Sequence, residues 1–99
     1  MLLRVNPKAR DDIREIKRYI KYELQNPVAA TNTGQRIIAA YKRLPGEPMS
    51  GRPLFTLDGI ETGYRFLVSG GYMIFYKLEA PYVSVYRVIY GKRDYFSML

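Results

Sequence analysis

The side chains able to do chemistry in this 99-residue chain are cations and tyrosines. There is no cysteine, which excludes disulfides and thiolate metal sites, and no histidine. The commonest general base and the commonest metal ligand are therefore missing together. Any catalysis would have to use Arg, Lys, Tyr, Asp or Glu, and no metal or other cofactor is implied. Lys and Arg number 16 against 9 Asp and Glu, a formal charge of +7. The excess lies in residues 1–43, which hold ten of the cations and four of the acids. Such a balance favours an anionic partner: nucleic acid, an acidic protein segment or an anionic membrane. Two groupings stand out. Arg14, Lys17, Arg18 and Lys21 recur at helical spacing. They read either as a phosphate-facing ridge or, more commonly, as the solvated face of an amphipathic helix. The second grouping, Lys92-Arg93-Asp94, forms a charged tip between Tyr90 and Tyr95. Of the ten tyrosines, these two are placed for contact, while most of the others fit a core with the hydroxyl reaching solvent.

The elements that must position these groups follow from pattern and punctuation. Leu2-Leu3-Arg4-Val5 suits a first strand. Asn6-Pro7 opens a helix of about 7–24, with Ala9, Ile13, Ile16, Ile20 and Leu24 as its apolar stripe. Asp11, Asp12 and Glu15 in its early turns complement the helix dipole. Asn26-Pro27 repeats the cap, so a second helix follows, with Ala30, Thr33, Ile37, Ala40, Tyr41 and Leu44 inward and Pro45-Gly46 at its end. Residues 45–63 read as a loop with a short extended piece at 54–57. Three runs rich in Val, Ile, Tyr and Phe, at about 64–68, 72–79 and 82–90, then form an antiparallel meander. In its middle strand Tyr72, Ile74, Tyr76 and Leu78 share one face, and Met73, Phe75, Lys77 and Glu79 the other. The last strand puts Val83, Val85 and Ile89 in core register, with Arg87 in the same register. Either a bulge, the commoner device, turns Arg87 away, or it is held facing a functional surface. The chain is one domain of the α+β class: an N-terminal strand and an antiparallel helical hairpin packed on a twisted, mainly antiparallel sheet, β-α-α-β-β-β. With no signal-like apolar core and no apolar run near about 20 residues, a cytoplasmic location is the default expectation.

That order of elements, with Tyr64-Arg65, Gly71-Tyr72, Ile74-Phe75-Tyr76 and the closing Arg87-Val88-Ile89-Tyr90-Gly91-Lys92-Arg93-Asp94, resembles the RelE/ParE superfamily of bacterial toxins from type II toxin–antitoxin modules. The resemblance spans nearly the whole chain. It implies a toxin that arrests growth and a cognate antitoxin whose acidic-apolar tail folds over the helical hairpin and sheet. Two activities follow from it. RelE-like members cut messenger RNA in the ribosome with basic residues and a tyrosine on the concave sheet face; ParE-like members share the fold but poison DNA gyrase. For the ribonuclease the resemblance assigns Arg65 and Arg93, with Tyr90, Tyr95, Glu61 or Asp94 left to move protons, so that Arg65, Arg93 and Tyr95 form the candidate catalytic set. For target binding it assigns Arg87, Tyr90, Lys92 and Arg93.

The sequence departs from the RelE pattern where physics makes the departure count. The arginine that follows the tyrosine of the GY pair is Met73 here, and a lysine of the preceding strand falls near Phe66 or Leu67. Cleaving RNA through its 2′-hydroxyl requires stabilising a doubly charged phosphorane, so losing a cation there removes several kcal/mol of transition-state stabilisation, of the order of 3 kcal/mol for one donor. A tyrosine acting as base would need its pKa lowered from about 10. The expectation therefore leans to the gyrase-directed toxin, with the ribonuclease as alternative and a non-toxic basic nucleic-acid-binding protein behind both. A homodimer and a toxin–antitoxin hetero-oligomer both remain open as assembly states.

Overall fold

Both helix starts form as the Asn-Pro pairs dictate. In the computed structural model, which describes residues 1–99, β1 (Leu2–Val5) leads into α1 (Pro7–Arg18). The Asn6 side chain accepts from the Lys8 N–H at 2.9 Å. Asn26 likewise accepts from Ala29 at 3.0 Å at the start of α2 (Pro27–Lys42). Each cap satisfies an orphan amide of the first turn, and each proline occupies a position whose N–H would be unpaired anyway. The long first helix predicted to about residue 24 stops short. After Arg18 the chain makes a π-helical turn, Tyr19–Glu23, whose wider spacing shifts the phase of the apolar stripe. Ala9, Ile13 and Ile20 stay buried, but Leu24 is turned out to solvent, and Gln25 closes the turn with a left-handed φ of 50°. Gly34 of α2 is buried where the two helices meet. A Cβ there would stand 2.9 Å from Cδ of Lys17, so the missing side chain leaves room for the lysine stem.

The sheet has five strands in the order β1-β5-β4-β3-β2. The meander runs as β3 (Glu61–Ser69), β4 (Tyr72–Glu79) and β5 (Tyr82–Tyr90), close to expectation. The extended piece of the preceding loop is a true edge strand, β2 (Arg52–Phe55), which begins two residues earlier than predicted. Pro53, which cannot donate, is tolerated there because an edge strand has one unpaired side. β1 pairs with β5 in parallel, from Leu2 opposite Tyr82 to Val5 opposite Val85, so the sheet is mixed.

Helices and sheet enclose the main core: Ala9, Ile13, Ile37, Tyr41 and Leu44 above Ile74, Tyr76, Val83, Val85 and Val88. The other sheet face has its own core of Leu54, Phe75 and Ile89, packed by Tyr64, Phe66, Met73, Tyr95, Met98 and Leu99. The expected face for β5 is corrected here. Phe75 lies opposite Arg87 while Tyr76 lies opposite Val85, so Tyr86 is the extra residue of a β-bulge. The bulge flips the alternation, so Val88 takes the core position on the helix side and Ile89 points to the opposite face.

Tyr76 ties the helix-to-sheet crossing to this core. Its buried hydroxyl donates to the Pro48 carbonyl at 2.8 Å and accepts from the Gly51 N–H at 2.9 Å. A Cβ on Gly51 would meet that hydroxyl at 2.5 Å, so only glycine lets the loop approach so closely. At the far end of the sheet, Glu79 accepts from the Tyr86 hydroxyl at 2.6 Å and lies 3.4 Å from Arg4. The Tyr86 hydrogen bond, helped by Ser84 and Arg4, holds the Glu79 pKa below its ordinary 4.5, and the same bond pushes Tyr86 up. A depressed carboxylate stabilises the fold above its ordinary range and loses that contribution as pH falls through the folded-state value.

Two outcomes are expected. Tyr76→Phe leaves the Gly51 amide buried without an acceptor and lowers the unfolding free energy in urea by about 1–3 kcal/mol; an unchanged midpoint would show that the hydroxyl anchors nothing. Tyr86→Phe raises the Glu79 pKa towards 4.5 in a carboxylate NMR titration, and an unmoved titration would assign the depression to another group.

Candidate functional site

The charged tip is held by backbone geometry. Beyond Val85 the strand β5 outruns its parallel partner, because β1 has ended and Asn6 donates the last bond, to the Val85 carbonyl at 2.8 Å. At the end of β5 the Gly91 N–H donates to the Gly71 carbonyl at 2.8 Å, and the Arg93 N–H to the Tyr90 carbonyl at 3.0 Å. Gly71 lies so near the Tyr90 ring that a Cβ there would stand 2.9 Å from it. Lys92, Arg93 and Asp94 are exposed. The chain then turns back through a 3₁₀ turn, Phe96–Met98, and lays Tyr95, Met98 and Leu99 across the second core.

Arg87 is fixed within the protein. Its guanidinium meets Asp12 of α1 with two hydrogen bonds, Nε to Oδ2 at 2.8 Å and Nη2 to Oδ1 at 3.0 Å. A third, from Nη1, goes to the Met98 carbonyl at 2.6 Å. Asp12 Oδ2 also accepts from the Val88 N–H at 2.9 Å. That amide lies on the stretch of β5 that β1 leaves uncovered, so the carboxylate replaces a missing strand. Both side chains are largely buried, at 13% and 14% exposed. The Asp12 hydrogen bonds raise the Arg87 pKa against the opposing effect of burial. The bulge and the internal pairing together turn Arg87 from the expected target contact into a structural clamp.

Arg65 also points inward. It pairs across strands with Tyr76, on the helix side of the sheet, and its Nη2 donates to the carbonyls of Met49, at 3.2 Å, and Gly51. Tyr95 lies on the opposite face, its ring 5.3 Å from that of Phe75. The expected catalytic set of Arg65, Arg93 and Tyr95 is therefore not one cluster, because Arg65 faces the helix side of the sheet while Tyr95, in the C-terminal turn, packs on the other face. Around Tyr95 the second face is aromatic: Tyr64 and Phe66 pack on Phe75, and Lys77 Nζ sits 4.4 Å from the Tyr64 ring centroid. Met73, at the position of the RelE-like arginine, belongs to this apolar face.

Of the remaining candidates, Tyr90 and Arg93 do meet, while Lys92 lines neither groove. Arg93 lines a polar groove with Lys8, Arg14, Arg18 and Arg87 between α1 and the C-terminal turn. It also borders an apolar groove with Ile16, Tyr19, Leu24, Tyr72 and Tyr90. Tyr72 and Tyr90 pair across strands with ring centroids 5.6 Å apart. Lys92 and Arg93 take part in none of the three ion pairs, which belong to Arg4, Arg14 and Arg87. Burial pushes Tyr72 and Tyr41 up, and the hydrogen bond to Glu79 does the same to Tyr86, so these three phenols lose their protons less readily and stay protonated at neutral pH. In chemical terms this arrangement offers cations for an anion beside a largely apolar, tyrosine-lined groove. Asp12 and Tyr72 went unread as partners in the sequence. The available signal was a carboxylate on the flank of an apolar stripe, and an arginine out of pattern on a strand.

This architecture, two helices on one face of a mixed five-stranded open sheet, is that of the ParE/RelE-like toxins. The toxin–antitoxin structure described as "Chromosomal ParDE TA system from P. aeruginosa" superposes with a TM-score of 0.74 at 22% identity, over 89% of this chain and 92% of that one. The toxin–antitoxin complex RelBE2 from Mycobacterium tuberculosis gives 0.61 at 19% identity, over 90% and 95%. At such identities the likeness is one of fold. No curated protein matches the sequence. The family model for the ParE toxin of the type II toxin–antitoxin system, parDE, matches residues 3–95, and the chain belongs to that family. It is a type II toxin of the ParE/RelE superfamily.

The clamp makes its own prediction. Breaking a largely buried ion pair from either side costs about 3 kcal/mol or more, because the other charge is left stranded. Asp12→Ala and Arg87→Ala should each destabilise by that order in urea. The double variant should cost less than their sum by more than about 1 kcal/mol, the mark of direct coupling. Strict additivity would refute the pairing.

Proposed function

We propose that this toxin arrests growth by binding DNA gyrase rather than by cutting RNA, and that a cognate antitoxin neutralises it. The observation that carries the reading is the second sheet face. A RelE-like ribonuclease would need cations there to stabilise the phosphorane. Here that face holds an aromatic layer under the chain's own C-terminal turn, with Met73 in place of arginine and Arg65 turned to the opposite side. A surface of Tyr90, Lys92 and Arg93 remains, exposed beside the end of β5 and suited to contact with a macromolecule. Aromatic and arginine side chains of this kind dominate protein interfaces.

The antitoxin reading is supported by the neighbouring folds, both described as toxin–antitoxin systems. Tyr19, Tyr22, Leu24 and Val28, each more than half exposed at the hairpin turn, offer apolar anchors for a tail that folds on binding. A gyrase target places the protein in the cytoplasm; no helix is long and apolar enough to cross a membrane.

Induced without antitoxin, the protein should stop growth, trap gyrase–DNA breaks and leave messages intact. Codon-phased RNA ends without trapped breaks would overturn the proposal. Arg93→Ala should abolish the arrest while leaving antitoxin binding nearly intact, and retained toxicity would remove Arg93 from the contact surface.

A further inference from the structure

The polar groove between α1 and the C-terminal turn carries more charge than the fold uses. Its lining includes five cations, Lys8, Arg14, Arg18, Arg87 and Arg93, and three acids, Asp11, Asp12 and Glu15. Two of the acids are committed internally. Asp12 is held by Arg87, and Asp11 lies 2.7 Å from Arg14. Lys8, Arg18 and Arg93 take part in no ion pair, and Glu15 is the one acid left to oppose them. We propose that this groove holds the phosphate backbone of duplex DNA through Lys8, Arg18 and Arg93.

Three features favour that occupant. The groove is large, about 670 Å³, and open. Lys8 and Arg18 lie ten residues apart on α1, about 15 Å along the helix axis at about 1.5 Å per residue. That length corresponds to about four phosphates of one strand at about 3.4 Å each along the DNA axis. The lining is also wrong for the alternatives. Met98 is its one apolar residue, so an acidic-apolar peptide finds no anchors there. It has no aromatic side chain, and single strands are held chiefly by stacking on aromatics. A duplex presents phosphates and keeps its bases stacked, which is what a cationic groove without rings can hold.

The inference deepens the gyrase reading, and rests on it for the choice of DNA, because gyrase works on a duplex that the toxin would touch alongside the enzyme. The test is binding of the purified chain alone to a fluorescent 20-base-pair duplex, by anisotropy across a salt series. Three phosphate contacts predict a slope of log K against log[salt] of about −2.7, and Arg18→Gln or Lys8→Gln should each flatten it by about 0.9. Lys42→Gln and Arg43→Gln, which remove the same charge outside the groove, should leave the slope as it was. Equal flattening by both pairs would reduce the binding to general charge and overturn the proposal, as would no binding or tighter binding to the single strand. With gyrase absent, failure here leaves the gyrase reading standing. Failure to trap gyrase in cells leaves a groove-specific slope standing.

Discussion

One carboxylate joins three parts of this protein. Asp12 leaves α1, caps the amide of Val88 where β5 has lost its parallel neighbour, and holds the Arg87 guanidinium, whose remaining nitrogen takes the Met98 carbonyl. The helix layer, the open stretch of the sheet edge and the C-terminal turn thereby share one set of hydrogen bonds. A largely buried ion pair gives modest net stability, since desolvation offsets most of the attraction. What it gives here is geometry. An uncovered strand edge invites pairing with other chains, and an aspartate fills that gap where the first strand is too short. The bulge at Tyr86 is the companion device, because it brings Arg87 out of the core register and towards the carboxylate.

The clamp also divides the cations into those the fold consumes and those it leaves available. Arg87 and Arg65 are consumed, one by Asp12 and the Met98 carbonyl, the other by two loop carbonyls. With Arg65 facing the helices and the C-terminal turn packed on the second face, Arg65 and Tyr95 lie on opposite sides of the sheet. Arg93 and Lys92 stay free at the tip, and Lys8 and Arg18 beside them. The surviving charge therefore lies along α1 and the tip. The proposed binding role rests on where the positive charge was not used.

Much of this was legible in the sequence. The Asn-Pro caps, the stripe of the second helix, that of the first as far as Ile20, and the breaks between the three meander runs each reflect local chemistry, and each formed where local chemistry put it. The two faces of β4 followed from alternation alone. The misses are non-local. Nothing within α1 announces that the next turn widens and discards Leu24. The extra residue at Tyr86 becomes visible only against the partner strand, and its effect was to exchange Val88 for Ile89. Asp12 looked like a dipole-complementing acid because its partner is 75 positions away. For the same reason Arg65 and Tyr95 were grouped by family pattern, although the chain's return through the C-terminal turn lays Tyr95 on the sheet face opposite to that of Arg65.

Hydrogen exchange at the C-terminal turn tests the clamp most directly. If Asp12 fixes that turn through Arg87, Asp12→Asn should speed exchange of the Val88 amide and, with it, of the Met98 and Leu99 amides that bond to Tyr95, while the amides of β3 and β4 keep their protection. Should Val88 alone be released, with the terminal turn as protected as before, the carboxylate would be a local edge cap and the account of a three-way clamp would be wrong.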